Sequence, residues 1–424
     1  MRLIFIFFLL VSFWPWEQDP DRIKKSSFDL SPPVRILKTL RVALFYEKPE
    51  VKITVSSSYK IEGLPAGESL AEGPSLPLVS FWQDPEGIRV GTTLHRVTGV
   101  RVTSRSKEVQ VENHRYRNSI QVLKNPAGSL TVLNEIDVED YLLGVLPVEV
   151  NPSWPIEALK AQAVVSRTYA IFKNIENKDF PFTLSSDVGS QVYQGKTVEH
   201  ASSNRAVEQT RGEILTYHGR IFPAFFHSTC GGWTARSDYQ WKIEPHPSLK
   251  GVECPFCQGS KFYSWKAEFS AAEIQKILTK KSKAVSAIQE IKAEDVDRSG
   301  RPRFFVIKHA GGTLKIPANE FRLALGPDQM RSTRIKIQKE GDRFLFKGKG
   351  WGHGVGLCQF GAKRMAELGY RYQDILRYYY PDNEIRNLDH LSSKGVETLT
   401  SSEGEGSGLK GWLHRFKSVV EDYY

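Results

Sequence analysis

The residue of this chain best suited to acid–base chemistry is Glu149, which stands between Val148 and Val150. A carboxyl among apolar neighbours loses the hydration that favours its charged form, so burial of this segment raises its pKa. A glutamate kept protonated near neutral pH is what a general acid for glycoside cleavage needs. Taken alone, Val-Glu-Val reads far more readily as an ordinary strand-edge carboxylate than as a catalytic group. A second cluster combines His227-x-x-Cys230 with Cys254-Pro255-Phe256-Cys257, the spacing expected of a tetrahedral zinc site. Its rival in an exported protein is a disulfide, either Cys254 to Cys257 or one of these to Cys230. The remaining cysteine, Cys358, reads as a small buried core residue. The run Gly350-Trp351-Gly352-His353-Gly354-Val355-Gly356 follows a strand and precedes a helix, which invites comparison with a phosphate loop. Its G-x-G-x-G spacing, interrupted by Trp351 and His353 and lacking Gly-Lys-Ser/Thr, does not fit one. A tight turn presenting His353 toward a cleft fits better.

Elements must hold these groups in place. From Pro32-Pro33 onward the chain is rich in β-branched runs such as Val34–Leu37 and Val51–Val55, which predict short strands through Leu130–Leu133. The stretch Gly63–Pro77, rich in Gly, Pro, Ser and Glu, reads as a loop within that part. Asp137–Leu143 reads as a helical turn leading into Val145–Glu149. A strong helix follows, with Pro155 at its first position and Ile156, Leu159, Ala163, Val164, Thr168 and Ile171 at helical spacing through Lys173. Strands are expected near Ile214–Tyr217, Phe222–Phe226, Phe304–Ile307 and Arg343–Phe346, and helices from Ser270 and over about Cys358–Leu368. These predict an α+β protein. Residues 1–30 form a leader, 31–130 a β-rich part, 131–388 a mixed catalytic part, and 389–424 a flexible Ser/Gly/Glu-rich linker and tail.

The 424 residues, 40% hydrophobic, suffice for a large core and exclude a wholly disordered chain. A formal charge of +10 favours polyanionic partners without choosing among nucleic acid, membrane and wall polymer. The leader narrows the choice: Met1-Arg2 precedes an uncharged apolar run from Leu3 to Trp16. That shape predicts export, with or without cleavage, and only an uncleaved leader would touch a membrane. Four cysteines are too few for a disulfide-built scaffold.

Several motifs now coincide in order and spacing. They are Glu139-Asp140-Tyr141-Leu142 with Gly144-Val145 and Glu149, then Trp154-Pro155 with Glu157–Ala163, and Ser166–Ala170. Further on come Ser190-Gln191-Val192-Tyr193, His227-Ser228-Thr229 with Gly231-Gly232, and Gly350–Gly356 leading into Gln359-Phe360-Gly361-Ala362. Over about 250 residues, together, the sequence resembles the stage II sporulation protein D / amidase-enhancer family.

The resemblance implies that Glu149 is the catalytic residue of a peptidoglycan lytic transglycosylase, acting on glycan strands outside the cytoplasm. One glutamate would protonate the bridge oxygen and then deprotonate the muramic acid 6-hydroxyl, leaving a 1,6-anhydro end. Ordinary glycosidases need two carboxylates, and only Glu157 and Asp187 offer themselves as a second. Gln162, Arg167, Ser190, Gln191, Tyr193, His227, Ser228 and His353 are the expected sugar contacts, being types that hold a sugar by hydrogen bonds or an aromatic face. Without the motifs, Gln162 and Arg167 would read as a polar helix face and Tyr193 as core. The metal expectation is one structural zinc on Cys230, Cys254, Cys257 and His227, with no organic cofactor, although His227 could serve the sugar site instead. A cell-wall amidase is an expected partner, and nucleic acid is not. The rival reading is a non-catalytic peptidoglycan-binding module that stimulates such an amidase.

Overall fold

The computed structural model describes residues 38–187 and 190–391. The leader and most of the Ser/Gly-rich tail therefore lie outside the described residues. The chain is α+β, 26% helical and 39% strand, with its strands concentrated toward the N-terminal part. Strand Glu50–Val55 shows why: Val51, Ile53 and Val55 are buried while Glu50 and Lys52 are exposed, the period-two pattern of a sheet with one packed face. This strand belongs to a six-stranded sheet, and a seven-stranded sheet lies beside it in the same core. Gly63–Pro77 is not one loop. Ser69–Gly73 is the edge strand of the larger sheet, pairing with Tyr59–Leu64, and Leu76 opens the next strand. An edge strand needs little apolar surface, which is why its composition looks like a loop.

The larger sheet does not end at residue 130. Strand Leu130–Asp137 pairs with Thr39–Lys48 on one side and Ser119–Lys124 on the other. The first core runs continuously from Val42, Val100 and Val132 into Tyr141, Leu142 and Leu159. The β-rich part and the first helices thus fold as one unit.

Helix α1 (Val138–Glu149) is capped by Asp137, whose carboxylate accepts from Glu139 N at 2.9 Å. The helix runs through Pro147 because a proline in the last turn removes a single hydrogen bond. Helix α2 (Ile156–Glu176) starts directly after Pro155, which serves as its N-cap. Its small residues let it be packed on all sides: Leu159 and Ala163 face the first core, while Ala161, Val164 and Val165 face a second. The second core is completed by residues such as Phe222, Leu249, Leu357, Ile375 and Tyr380, while α3 (Ala201–Gln209) sends Ala206 and Val207 into the first.

A third core marks a unit that the sequence did not announce. Strands Ser264–Ser270, Ile335–Glu340 and Arg343–Lys349 form one sheet, and Ile288–Val296, Pro302–His309 and Gly312–Pro317 another. Helices α4 (Ala271–Lys280) and α5 (Ala318–Ala324) pack with them. Ser270 and Glu273 form a capping box at the start of α4. This unit is inserted into the mixed helix-and-strand part that carries α1, α2 and the second core. The chain re-enters the second core at Leu357–Cys358, which pairs in parallel with Phe226–His227, and continues into α6 (Gln359–Glu367) and α7 (Tyr372–Tyr379). Among the described residues no helix is long and apolar enough to cross a membrane.

Candidate active site

Glu149 is the last residue of α1, where Val150 turns the chain into extended conformation. Its Oε1 accepts a hydrogen bond from Val192 N at 3.0 Å. Burial of the carboxyl raises its pKa to about 7, and the Val192 amide only partly opposes this. The residue itself keeps some exposed surface, so the acid is enclosed yet reachable.

The loop carrying Val192 is held by the residues on either side of it. Gln191 is fully buried, accepting from Tyr141 Oη at 3.3 Å and donating to Ser166 O at 3.4 Å. Tyr193 is also buried; its hydroxyl donates to Asn134 Oδ1 at 2.7 Å and its ring lies 5.0 Å from that of Tyr141. Gly144 is required here, because a Cβ would sit 2.7 Å from the Tyr193 ring. Ser190 closes the same loop by accepting from Ser185 N at 3.2 Å. Gln191 and Tyr193 were expected to touch sugar; both side chains are buried here and fix the backbone on either side of Val192.

On the other side, Gln359 at the start of α6 donates from Nε2 to the Glu149 carbonyl at 3.2 Å and lies 3.5 Å from Gln162 Oε1. Gln162, 1% exposed, passes the chain of amides on to Ser166 Oγ at 3.1 Å. Expected as a sugar contact, it stands here as a buried support of the Glu149 backbone through Gln359. Arg167 requires a plainer correction. Fully buried, it makes a bidentate pair with Glu139 at 2.8 and 2.7 Å and donates to the carbonyls of Glu213 and Val207. It staples α1 and α2 to α3 and the neighbouring strand from a fully buried position.

His227 and His353 come together, their rings 5.6 Å apart. His227 is buried with Nδ1 3.1 Å from Val355 O, so Nδ1 carries the proton. Its Nε2 is buried without a hydrogen-bond partner. Burial, aided by Arg301, lowers its pKa to about 3. His353 accepts from Val355 N at 3.1 Å and packs 4.8 Å from the Trp241 ring; burial and then His227 hold it well below its ordinary range. Both imidazoles are neutral. Ser228, half-buried, receives Phe360 N on its carbonyl at 3.1 Å, which packs it against the start of α6.

Residues that the sequence reading passed over complete the surroundings. Phe360 stands edge-on to Trp154 at 5.2 Å, and Phe262 joins Phe360 at 5.9 Å and Trp351 at 4.3 Å. The guanidinium of Arg331 lies 5.3 Å from the Trp351 ring. All five are partly exposed. The Gln359-Phe360 motif was the available signal for this wall, but its role depends on contacts far apart in sequence.

Neither expected second carboxylate pairs with Glu149. Glu157 accepts from Lys160 Nζ and Tyr372 N, each at 2.9 Å. Burial raises its pKa, but these donors outweigh it and leave the carboxyl below its ordinary value. Asp187 accepts from Ser185 Oγ at 2.7 Å at the base of the loop that carries Val192.

The expected metal set also changes. The sulfurs of Cys230, Cys254, Cys257 and Cys358 all lie within 4.8 Å of one another, and all four residues are buried. Cys358 takes the place expected for His227. It was read as core because the inserted unit separates it from its partners by about 100 residues of chain.

Comparison with known proteins agrees with this layout. A family profile described as Stage II sporulation protein matches residues 126–217, which include α1, α2 and the Val192 loop. A second, described only as a domain of unknown function, matches residues 255–356 and so brackets the inserted unit. An uncharacterized protein of Brachyspira hyodysenteriae is 34% identical over 267 residues, covering 63% of this chain and 71% of that protein. The amidase enhancer of Bacillus subtilis is 30% identical over 288 residues, 58% of this chain but 40% of the relative. The stage II sporulation protein D of Bacillus subtilis is 31% identical over 277 residues, covering 62% of this chain and 78% of the relative. With these matches, the chain belongs to the stage II sporulation protein D / amidase-enhancer family.

Proposed function

We propose that this chain is an exported enzyme of the bacterial cell envelope that cleaves peptidoglycan as a lytic transglycosylase, with Glu149 as its acid and base. The observation that carries this reading is a glutamate enclosed at a helix end, its pKa raised to about 7 and its position fixed by Val192 N. In the reaction, the carboxyl gives its proton to the oxygen bridging MurNAc C1 to GlcNAc, and that C1–O bond breaks. The carboxylate then takes the proton from the MurNAc 6-hydroxyl as O6 bonds to C1. No water enters, and Glu149 ends protonated as it began. One carboxyl suffices because the nucleophile is part of the substrate and already close. The engagement of Glu157 with Lys160 and Tyr372 fits a mechanism without a second catalytic carboxylate.

Trp154, Phe360, Phe262 and Trp351 offer ring faces on which a sugar can stack, and Arg331 adds a cation suited to the lactyl carboxylate of muramic acid. The formal charge of +10 favours approach to an anionic wall.

A second reading follows from the relative named amidase enhancer: a module that binds glycan and stimulates a separate amidase. Purified chain incubated with purified peptidoglycan separates the two. Release of soluble fragments by the chain alone supports the enzyme; release only after an amidase is added, with amide rather than glycan bonds cut, supports the module.

A further inference from the structure

We propose that Cys230, Cys254, Cys257 and Cys358 bind one zinc ion as a tetrathiolate, and that this centre clasps both ends of the inserted unit to the catalytic part. The geometry is the first argument. A tetrahedral zinc with Zn–S bonds of about 2.3 Å sets its sulfurs about 3.8 Å apart. Here the four sulfurs all fall within 4.8 Å of one another, with Cys230 and Cys257 at 3.4 Å. A disulfide joins sulfurs two at a time at about 2 Å and gives no reason for four to converge on one point.

The surroundings are the second argument. Cys230 N donates to Cys358 Sγ at 3.2 Å, Gly232 N lies 3.4 Å from Cys230 Sγ, and the Tyr379 hydroxyl lies 3.1 Å from Cys254 Sγ. Donors aimed at sulfur stabilise metal-bound thiolates. Four thiolates around one dication leave a net charge of about −2, which a buried site must balance. Arg301 is fully buried beside the cluster, donating to the carbonyls of Cys230 and Trp233 with Nε unpartnered, and Arg334 donates to Gly231 O. A buried guanidinium bonded to carbonyls alone is itself in need of negative charge.

The placement gives the site its consequence. Cys254 and Cys257 lie just upstream of the unit's first strand, Ser264–Ser270, and Cys358 lies just downstream of its last, Arg343–Lys349. Cys358 is also the N-cap of α6, whose next residue, Gln359, reaches the Glu149 carbonyl. Gly361 lets that helix close on the cluster, since a Cβ there would lie 2.9 Å from Cys254 Sγ and nearer still to the Tyr379 hydroxyl. The metal is therefore a structural clasp that sets the inserted unit and α6, and its presence is independent of the reaction assigned to Glu149.

The test uses the intact chain purified without chelator. Elemental analysis should find about one zinc per chain, and the four thiols should resist alkylation until the protein is unfolded with a chelator. Replacement of zinc by cobalt should give the intense visible bands of tetrahedral cobalt together with sulfur-to-cobalt charge transfer. Cys358→Ser should cut the bound zinc to a small fraction, whereas His227→Ala should keep it at about one. If Cys358→Ser does not fold, the cobalt spectrum of the unaltered chain decides. Zinc-free protein with these cysteines in disulfides, iron in place of zinc, or zinc lost in His227→Ala and kept in Cys358→Ser would overturn the proposal.

Discussion

Replacing Glu149 by Gln should abolish glycan cleavage and at the same time make the protein more stable, by an amount that depends on pH. The amide keeps the shape of the carboxyl and can still accept from Val192 N, but it has no proton to exchange. The stability effect follows from the pKa. In the unfolded chain Glu149 ionises near its ordinary 4.5, and in the folded protein near about 7. Between these values the folded state binds more protons than the unfolded one, so the native protein loses stability as pH rises through that window. The full difference corresponds to about 3 kcal/mol, reached above about pH 7 and nearly absent below about pH 4. Glutamine has no charge to bury. The variant should therefore match the native chain near pH 4 and exceed it by up to about 3 kcal/mol near pH 8. Urea unfolding followed by tryptophan fluorescence at several pH values measures the gap, alongside peptidoglycan turnover. A gap that is absent or independent of pH would mean the carboxyl is not held protonated, and retained cleavage would remove Glu149 from the chemistry.

The same pKa predicts that cleavage by the native enzyme declines on the alkaline side with an apparent pKa of about 7, measured as initial rate against pH. Gln359→Ala removes the amide that holds the Glu149 carbonyl, so kcat should fall up to about 100-fold with little change in KM; a change in KM alone would place Gln359 against substrate. Arg167→Met strands the buried Glu139 carboxylate and should cost about 3–5 kcal/mol in unfolding measurements; native stability with weakened glycan binding would restore the expected sugar contact. Phe360→Ala should raise KM about tenfold in fragment-release assays while the thermal midpoint of the thiol-clasped core changes little; an unchanged KM would exclude the aromatic wall from binding.

How far the sequence carried depended on the distance over which each feature is determined. The burial of Glu149 was legible because its apolar neighbours are local, and so was the helix start at Ser270, although Glu273, which completes the capping box there, was not singled out. Pro147 hid the continuity of α1, since a proline is read as a break although the last turn tolerates it. Polar residues on a helix looked like ligands until their partners were known. Arg167 finds Glu139 28 positions away, and Gln162 finds Gln359 197 positions away. Cys358 was separated from the other thiols by the inserted unit, and the Gly-rich run that follows that unit, Gly350–Gly356, read as a turn of the site rather than as a boundary. The helices and strands of that unit were partly anticipated, but only its own core shows it to be a unit.

The central claim is that the substrate's own hydroxyl, not water, attacks the bond that Glu149 opens, and digestion of purified peptidoglycan in heavy-oxygen water tests it most directly. Mass spectrometry of the soluble fragments should find 1,6-anhydro-muramic ends, lighter than reducing ends by one water and free of the heavy label. Labelled reducing ends would show that water attacked, contradicting the account and directing the search for a second carboxylate to Asp187.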